Sequence, residues 1–414
     1  MTRFFFGWWL LVGLFVIYTA SNGILLNTLP MFYPSLMAEF GWSEAEVTRP
    51  AALFFFASGF MSIISGFFLD RFSVKRIMLI GLAGMVAALG YYSSISSLGG
   101  LMTIYFVFAA GLAMGGLLPS MLLLTRWFVR LRGIAIGILL LAASLGGMVF
   151  PPIVAQRLAL NGWRQTVMEL AIISAVMMIV PVLFLVRNYP RDMGLQPDGE
   201  AAPSDTAKTG PATDGPTLMD AVKSPLFYLL VFTTATLWVC VTGVINHQTI
   251  YLGQDLGVGM SMLGLIISVF FGFSIIGYLL FGYLSDHFEK GHILMLAVIN
   301  LAVGLIVLRV LNSDSTVLIF VYAAIYGMGF SGAFVMVQLI VAEYFSGSNY
   351  GKILGLFVFI DTIASGIGIE ILGQMRVAMG SYIPAFNVLI VLCAAAAICV
   401  FFINQRHMQT HVSV

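Results

Sequence analysis

Charge is what this chain has least of. Only 9% of its residues are Asp, Glu, Lys or Arg, against about 25% in an ordinary soluble domain. With 60% apolar residues over a length of 414, and a mean hydropathy of +1.02, a water-soluble fold would have nowhere to hide its surface. The composition therefore places the chain in the membrane class. A net charge of +1 argues against a nucleic-acid partner. Cysteine is scarce too: Cys240, Cys393 and Cys399 sit in apolar runs without metal-ligand or redox spacing, so they read as packing residues. No metal or cofactor is expected. The sequence has no P-loop, which argues against direct drive by ATP. The apolar runs are too long for β-strands.

What is present is a series of runs matching the roughly 20 residues a membrane-spanning helix requires. They fall near 5–29, 47–69, 77–97, 100–124, 133–156 and 165–187, then near 225–250, 261–284, 291–311, 316–341, 351–374 and 382–404. The opening "MTRFFFGWW" has the basic start of a signal peptide, but its run is too long and no clean cleavage site follows, so it is expected to stay as the first helix. Between the two sets of six lies "NYPRDMGLQPDGEAAPSDTAKTGPATDGP", rich in proline and poor in large apolar residues. Such a stretch builds no core and reads as a flexible linker. The expected organisation is an all-α membrane protein of twelve transmembrane helices in two pseudo-symmetric six-helix bundles. Residues 1–187 form the first bundle, 188–224 the linker and 225–414 the second. Of the 19 lysines and arginines, all but Arg49, Arg157, Arg164, Arg309 and Arg376 fall on the linker side. By the positive-inside rule that side is cytoplasmic, with both termini, in an inner membrane.

The stretch "GFFLDRFSVKR" at 66–76 sets Asp70, Arg71, Lys75 and Arg76 between two apolar runs, and "GYLSDHFEKGH" at 282–292 repeats its start in the second half. Gly66 and Gly282 open the two stretches, and Asp70 and Asp286 follow at the same distance. This internal repeat suggests two related halves. The first stretch resembles the loop signature of the major facilitator superfamily. The resemblance covers the whole chain: twelve spans, two halves, a central linker and the motif in both. It implies alternating access, with the halves rocking around a mid-membrane site, and a cytoplasmic gate containing Gly66, Asp70, Arg71, Arg76, Gly282 and Asp286. The plainer alternative is that these charges only enforce topology.

Three further stretches resemble the monocarboxylate and oxalate/formate branch: "GWW" at 7–9, "RWFVRLRGIAIGI" at 126–138 and "DMGLQPDGE" at 192–200. "GILLLAASLGGMVFPP" resembles the superfamily's glycine-proline motif of helix 5. There Gly137, Gly146 and Gly147 would permit close helix approach. That branch would place a lysine late in helix 1 and an Asp/Arg pair in helix 8. Here Asn27 stands at or near the first, Ser274 and Tyr278 near the second, and no Lys or Arg lies in the middle of any span. An anion stripped of water needs a fixed cation or many donors.

The polar groups left inside the spans are the candidate site. Asn22, Asn27, Asn246, His247, Ser274, Tyr278 and Tyr326 are the candidate substrate contacts. Asp361 lies about mid-span, where an Asp costs about 2.5–3.5 kcal/mol on insertion scales. Either it carries a proton or pairs with a polar solute, or it is a buried polar staple. His247 is the second proton candidate, or a satisfied histidine. These residues point to a secondary transporter of a small organic solute, an organic acid among the possibilities, that uses protons and acts as a monomer in the bilayer. The alternatives are an exporter of apolar or aromatic compounds and, in another class, a membrane sensor on a transporter scaffold. An enzyme is not expected, because His247, His287, His292, His407 and His411 form no acid-base or metal cluster.

Overall fold

The computed structural model describes residues 5–199, 216–312, 316–345 and 350–412. Among these residues every regular element is helical. Contact clustering divides the chain into two units: 1–41 with 53–208, and 42–52 with 209–414.

In the first unit α1 (Phe6–Asn22) continues through a π-helical turn at Gly23–Asn27 and a 3₁₀ turn into α2 (Tyr33–Phe40). α3 (Glu44–Arg71) is shared, since its first residues group with the second unit. α4 (Val74–Tyr92), α5 (Leu98–Gly115), α6 (Leu117–Trp127), α7 (Arg132–Ser174) and, after a π turn, α8 (Val180–Phe184) complete it. α7 holds 43 residues. As one unbroken helix it would be some 65 Å long at about 1.5 Å per residue, twice the roughly 30 Å hydrocarbon core. It folds back at Gly162, whose φ of 72° and ψ of 171° are non-helical. Only glycine reaches that region cheaply. The two expected spans near 133–156 and 165–187 are therefore two helical arms that meet at the break at Gly162. Eleven stretches among the described residues are long and apolar enough to cross a membrane, one of them Ile134–Phe184. Counting its two arms gives the twelve crossings expected.

The second unit contains α9 (Leu218–Lys223), α10 (Pro225–Ile250), α11 (Met260–His287), α12 (Lys290–Val310), α13 (Thr316–Tyr344), α14 (Tyr350–Met379) and α15 (Ile383–Val412). Like α1, α10 ends in a π turn, here at Tyr251–Asp255. The first long helix of each unit thus ends in the same irregularity.

Without water in the bilayer core, helices associate through close packing, and glycine sets how close. α1 meets α7 at Gly23 and Gly146, where a Cβ built on Gly146 would lie 2.8 Å from the Cα of Gly23. α10 meets α14 at Gly368, where a Cβ would lie 2.7 Å from the carbonyl oxygen of Val239. A Cβ on Gly137, by contrast, would meet nothing within 4 Å, so the close approach expected of "GILLLAASLGG" is made by its second part. The outer faces are apolar: Phe67 is 72% exposed, Val391 67% and Leu279 64%. In water such surfaces would aggregate, but against acyl chains they are ordinary.

The start of the linker is ordered rather than free. Tyr189 stacks between the guanidinium groups of Arg126 and Arg191, each 4.5 Å from its ring centre. Asn188 accepts from the backbone N–H of Lys75 at 3.0 Å and donates to Ser73 Oγ at 2.9 Å. The carboxylate of Asp198 accepts from the backbone N–H groups of Val129 and Arg130, at 3.0 and 2.7 Å. Trp8 packs edge-on against Phe128 with ring centres 5.2 Å apart. The stretches "GWW", "RWFVRLRG" and "DMGLQPDGE", far apart in sequence, thus pack together on the linker side of the first unit. Residues 200–215 of the linker lie outside the described residues.

Candidate functional site

The second unit's polar groups lie mainly along the seam between α10 and α14. A transmembrane helix has no partner for a polar side chain except another helix, so threonines at Thr234 and Thr242, two turns apart on α10, mark one face. Thr234 Oγ1 donates to Asp361 Oδ1 at 2.8 Å. Thr242 Oγ1 bonds the carbonyl of Ser365 at 3.1 Å as well as its own helix at Trp238. Ser365 lies one turn after Asp361, but its hydroxyl donates to the Asp361 backbone carbonyl at 2.9 Å, not to the carboxyl group. Asp361 is 3% exposed. Its Oδ2 is buried with no hydrogen-bond partner among the described residues. An acid at this depth with one donor is half satisfied, whereas buried polar groups are nearly always fully bonded.

His247 is also at this seam and is fully buried. Its Nε2 lies 2.9 Å from the Ile369 carbonyl and its Nδ1 2.9 Å from the Tyr382 hydroxyl. A carbonyl only accepts, so Nε2 carries the hydrogen and Nδ1 accepts from Tyr382 in the neutral ring. Both nitrogens are engaged. Tyr382 in turn lies under Arg376, whose guanidinium is 5.2 Å from its ring centre. Arg376 pairs with Asp255 at 2.7 Å and Glu44 at 3.3 Å, and it donates to the Gly380 carbonyl. A second pair, Arg49 with Glu370 at 3.3 Å, lies nearby in sequence, with Gln374 donating to the same carboxylate at 2.8 Å. Both groups lie toward the side away from the linker. Sequence alone places Arg49 and Arg376 on the side away from the linker but gives neither a partner. Charged residues recurring at the far ends of spans were the signal available.

The remaining candidates are dispersed. Asn22 and Asn246 each donate to the carbonyl four residues earlier, Tyr18 and Thr242, at 3.0 and 2.9 Å. Asn22 immediately precedes the π turn of its helix, whereas Asn246 lies five residues before the π turn that follows α10. Asn27, inside the first π turn, reaches the Ala143 carbonyl of α7 at 3.4 Å. Ser274 is buried and donates to Phe271 of its own helix at 2.7 Å. Tyr326 is buried, and its hydroxyl donates to the Cys240 carbonyl at 2.9 Å. Tyr278 is half-buried and belongs to an aromatic surface drawn from α10, α11 and α13. Its ring centre is 5.8 Å from Phe334, which is 5.9 Å from Trp238, and 6.4 Å from Phe330.

At the repeated loop, a Cβ on Gly66 or Gly282 would meet nothing within 4 Å. Arg71, Arg76 and Asp286 are exposed. Asp70 closes the last turn of α3, and its side chain lies outside what the structure describes. Among the described residues no cluster of three or more His, Cys, Asp or Glu side chains could hold a metal ion.

The profile of the Major Facilitator Superfamily matches residues 10–250 and 248–412. An uncharacterized MFS-type transporter of Bacillus subtilis, YcxA, is 24% identical over 98% of this chain and 98% of its own. The agnestins efflux protein AgnL12 of Paecilomyces divaricatus is 25% identical, covering 89% of this chain and 81% of its own. Among solved structures, a D323A mutant of the nucleoside transporter NupG superposes with a TM-score of 0.77 at 11% identity, over 96% of this chain and 99% of that one. At that identity the likeness shows the fold alone.

Proposed function

This chain belongs to the major facilitator superfamily, a multi-pass membrane transporter rather than an enzyme, and on that premise we propose that it is a proton-coupled secondary transporter of a small organic solute. The observation that carries this reading is Asp361: a mid-span acid, 3% exposed, with one oxygen bonded by Thr234 and the other without a partner. A structural staple would be expected to use both oxygens. A group that takes up a proton on one side and releases it on the other needs an oxygen left free for the proton or for solute. His247, with both nitrogens engaged, is the weaker coupling candidate and serves as a brace between α10, α14 and Tyr382.

The solute meets neutral donors rather than a fixed cation, because no Lys or Arg lies in the middle of a span. A small organic acid handled this way would have to travel with a proton. Access alternates between the two sides, and the loop around Asp70 closes the linker side, which the distribution of Lys and Arg makes cytoplasmic. A second reading, export of aromatic compounds, is favoured by the surface of Trp238, Tyr278, Phe330 and Phe334 and by the efflux relative.

The test uses purified protein in proteoliposomes loaded with a pH-sensitive dye. Organic acids, amino acids and aromatic compounds are added singly, and solute-driven proton movement is followed. Asp361→Asn keeps the oxygen that Thr234 contacts. It should abolish solute-driven proton movement and accumulation against a gradient while preserving exchange of labelled solute. Accumulation by Asp361→Asn equal to that of the unaltered protein would make Asp361 a staple. A solute that shifts thermal stability but is never exchanged would favour a sensor.

A further inference from the structure

On the linker side of the second unit, a groove of about 730 Å³ runs between the start of α10 and the middle of α15. Lys223, Tyr228, Leu229, Phe232, Ile398 and Cys399 line it. We propose that this groove binds one anionic phospholipid of the leaflet on the linker side. Both helices are membrane-spanning, so the groove opens onto acyl chains and not onto water. Tyr228 and Ile398 are each 58% exposed and Phe232 39%, which leaves an apolar trough for a hydrocarbon chain to lie in.

The head of the trough selects charge. Among the described residues Lys223 is its one charged lining residue, and it ends α9 just before the span begins. Pro225 starts α10 there, with the Ser224 hydroxyl accepting from the Leu226 N–H at 3.3 Å. The positive end of a 26-residue helix thus adds to the lysine charge. Tyr228, on the first turn, has the amphipathic ring favoured at headgroup depth. The competing carboxylate is Asp220, one turn before Lys223. It is held in a capping box, accepting from the Thr217 hydroxyl at 2.6 Å and the Thr217 N–H at 3.1 Å. Those bonds from Thr217 chiefly hold it below the usual carboxylate range, with the Lys223 charge a lesser contribution, and among the described residues no ion pair ties the two side chains. A trough lined by apolar side chains with a cation at its polar end matches a phospholipid whose headgroup is negative.

The groove carries its own reporters. Cys240 and Cys393 are buried, whereas Cys399 is half-buried in the groove wall. Phe232→Trp would place an indole in the trough. The protein is reconstituted in phosphatidylcholine vesicles containing a minor fraction of brominated phosphatidylglycerol or of brominated phosphatidylcholine. The added Trp fluorescence of Phe232→Trp should be quenched with a roughly fivefold preference for the glycerol lipid, the size expected of one lysine near an anionic surface. Lys223→Gln should remove that preference. Independently, in protein with Phe232 intact, phosphatidylglycerol should slow maleimide labelling of Cys399, and Lys223→Gln should restore the rate. Equal quenching by the two lipids, or a preference that survives Lys223→Gln, would overturn the proposal. So would labelling of Cys399 that ignores lipid charge, or displacement of the effect by soluble glycerol phosphate.

Discussion

Thr234 is the smallest change that separates the two roles open to Asp361. Thr234→Val keeps the shape and removes the one donor to the carboxyl group. The loss should cost about 1–2 kcal/mol of stability, since both acid oxygens are then left without a partner. If Asp361 moves protons, the same change should also displace the pH at which solute-driven proton movement is half-maximal. A staple would leave that midpoint in place, so a pH titration in proteoliposomes decides between them. Arg376 is the second informative residue. It is 15% exposed and serves two carboxylates, 20% and 19% exposed, with different nitrogens. Arg376→Ala should destabilise the protein by about 2–3 kcal/mol by stranding both, and Arg376→Lys should not recover it, because a point charge lacks the fork. Thermal unfolding of the two variants tests this. Asp361 stood out in sequence because an acid in an apolar run is conspicuous. Thr234 did not, because threonine is unremarkable in a membrane helix and its partner is 127 residues away.

Two element junctions carry their own expectations. Gly162 turns α7 back on itself at a φ of 72°, and a Cβ there would meet nothing within 4 Å. The whole cost of Gly162→Ala is therefore conformational, about 1–3 kcal/mol. Gly146→Ala meets the backbone of α1 instead and should act through misplaced helices. The first should lower thermal stability while sparing transport, and the second should impair both. Asp198 holds the linker to the loop after α6 by two backbone donors. Asp198→Ala should release that segment and speed limited proteolysis near it, with little effect on the spans. The spans themselves were legible because the bilayer imposes a length on every run. The docked linker was not, because Pro, Gly and Asp read alike in a free coil and in a segment fixed by a few specific bonds. Asp198 and Tyr189 make those bonds with residues that only the fold brings near.

At the scale of the whole molecule the membrane sets both what is certain and what can be tested. Leu160, 69% exposed, and Met193, 43% exposed, fall on opposite sides by the order of spans. If the linker side is cytoplasmic, a membrane-impermeant thiol reagent should label Leu160→Cys in intact cells and Met193→Cys only after permeabilisation. Equal labelling of both in intact cells would reverse or undo the assignment. The paired π turns at Gly23–Asn27 and Tyr251–Asp255 have a consequence for any comparison of the two halves. Such a turn closes its hydrogen bonds over one more residue than an α-helical turn, and each residue advances an α-helix by about 100°. Each turn is therefore a phase shift. Residues beyond it point about a quarter-turn away from where an unbroken helix would carry them. Deleting one residue within either turn would restore the α-helical phase and rotate everything after it, so these two short segments tolerate substitution far better than a change of length.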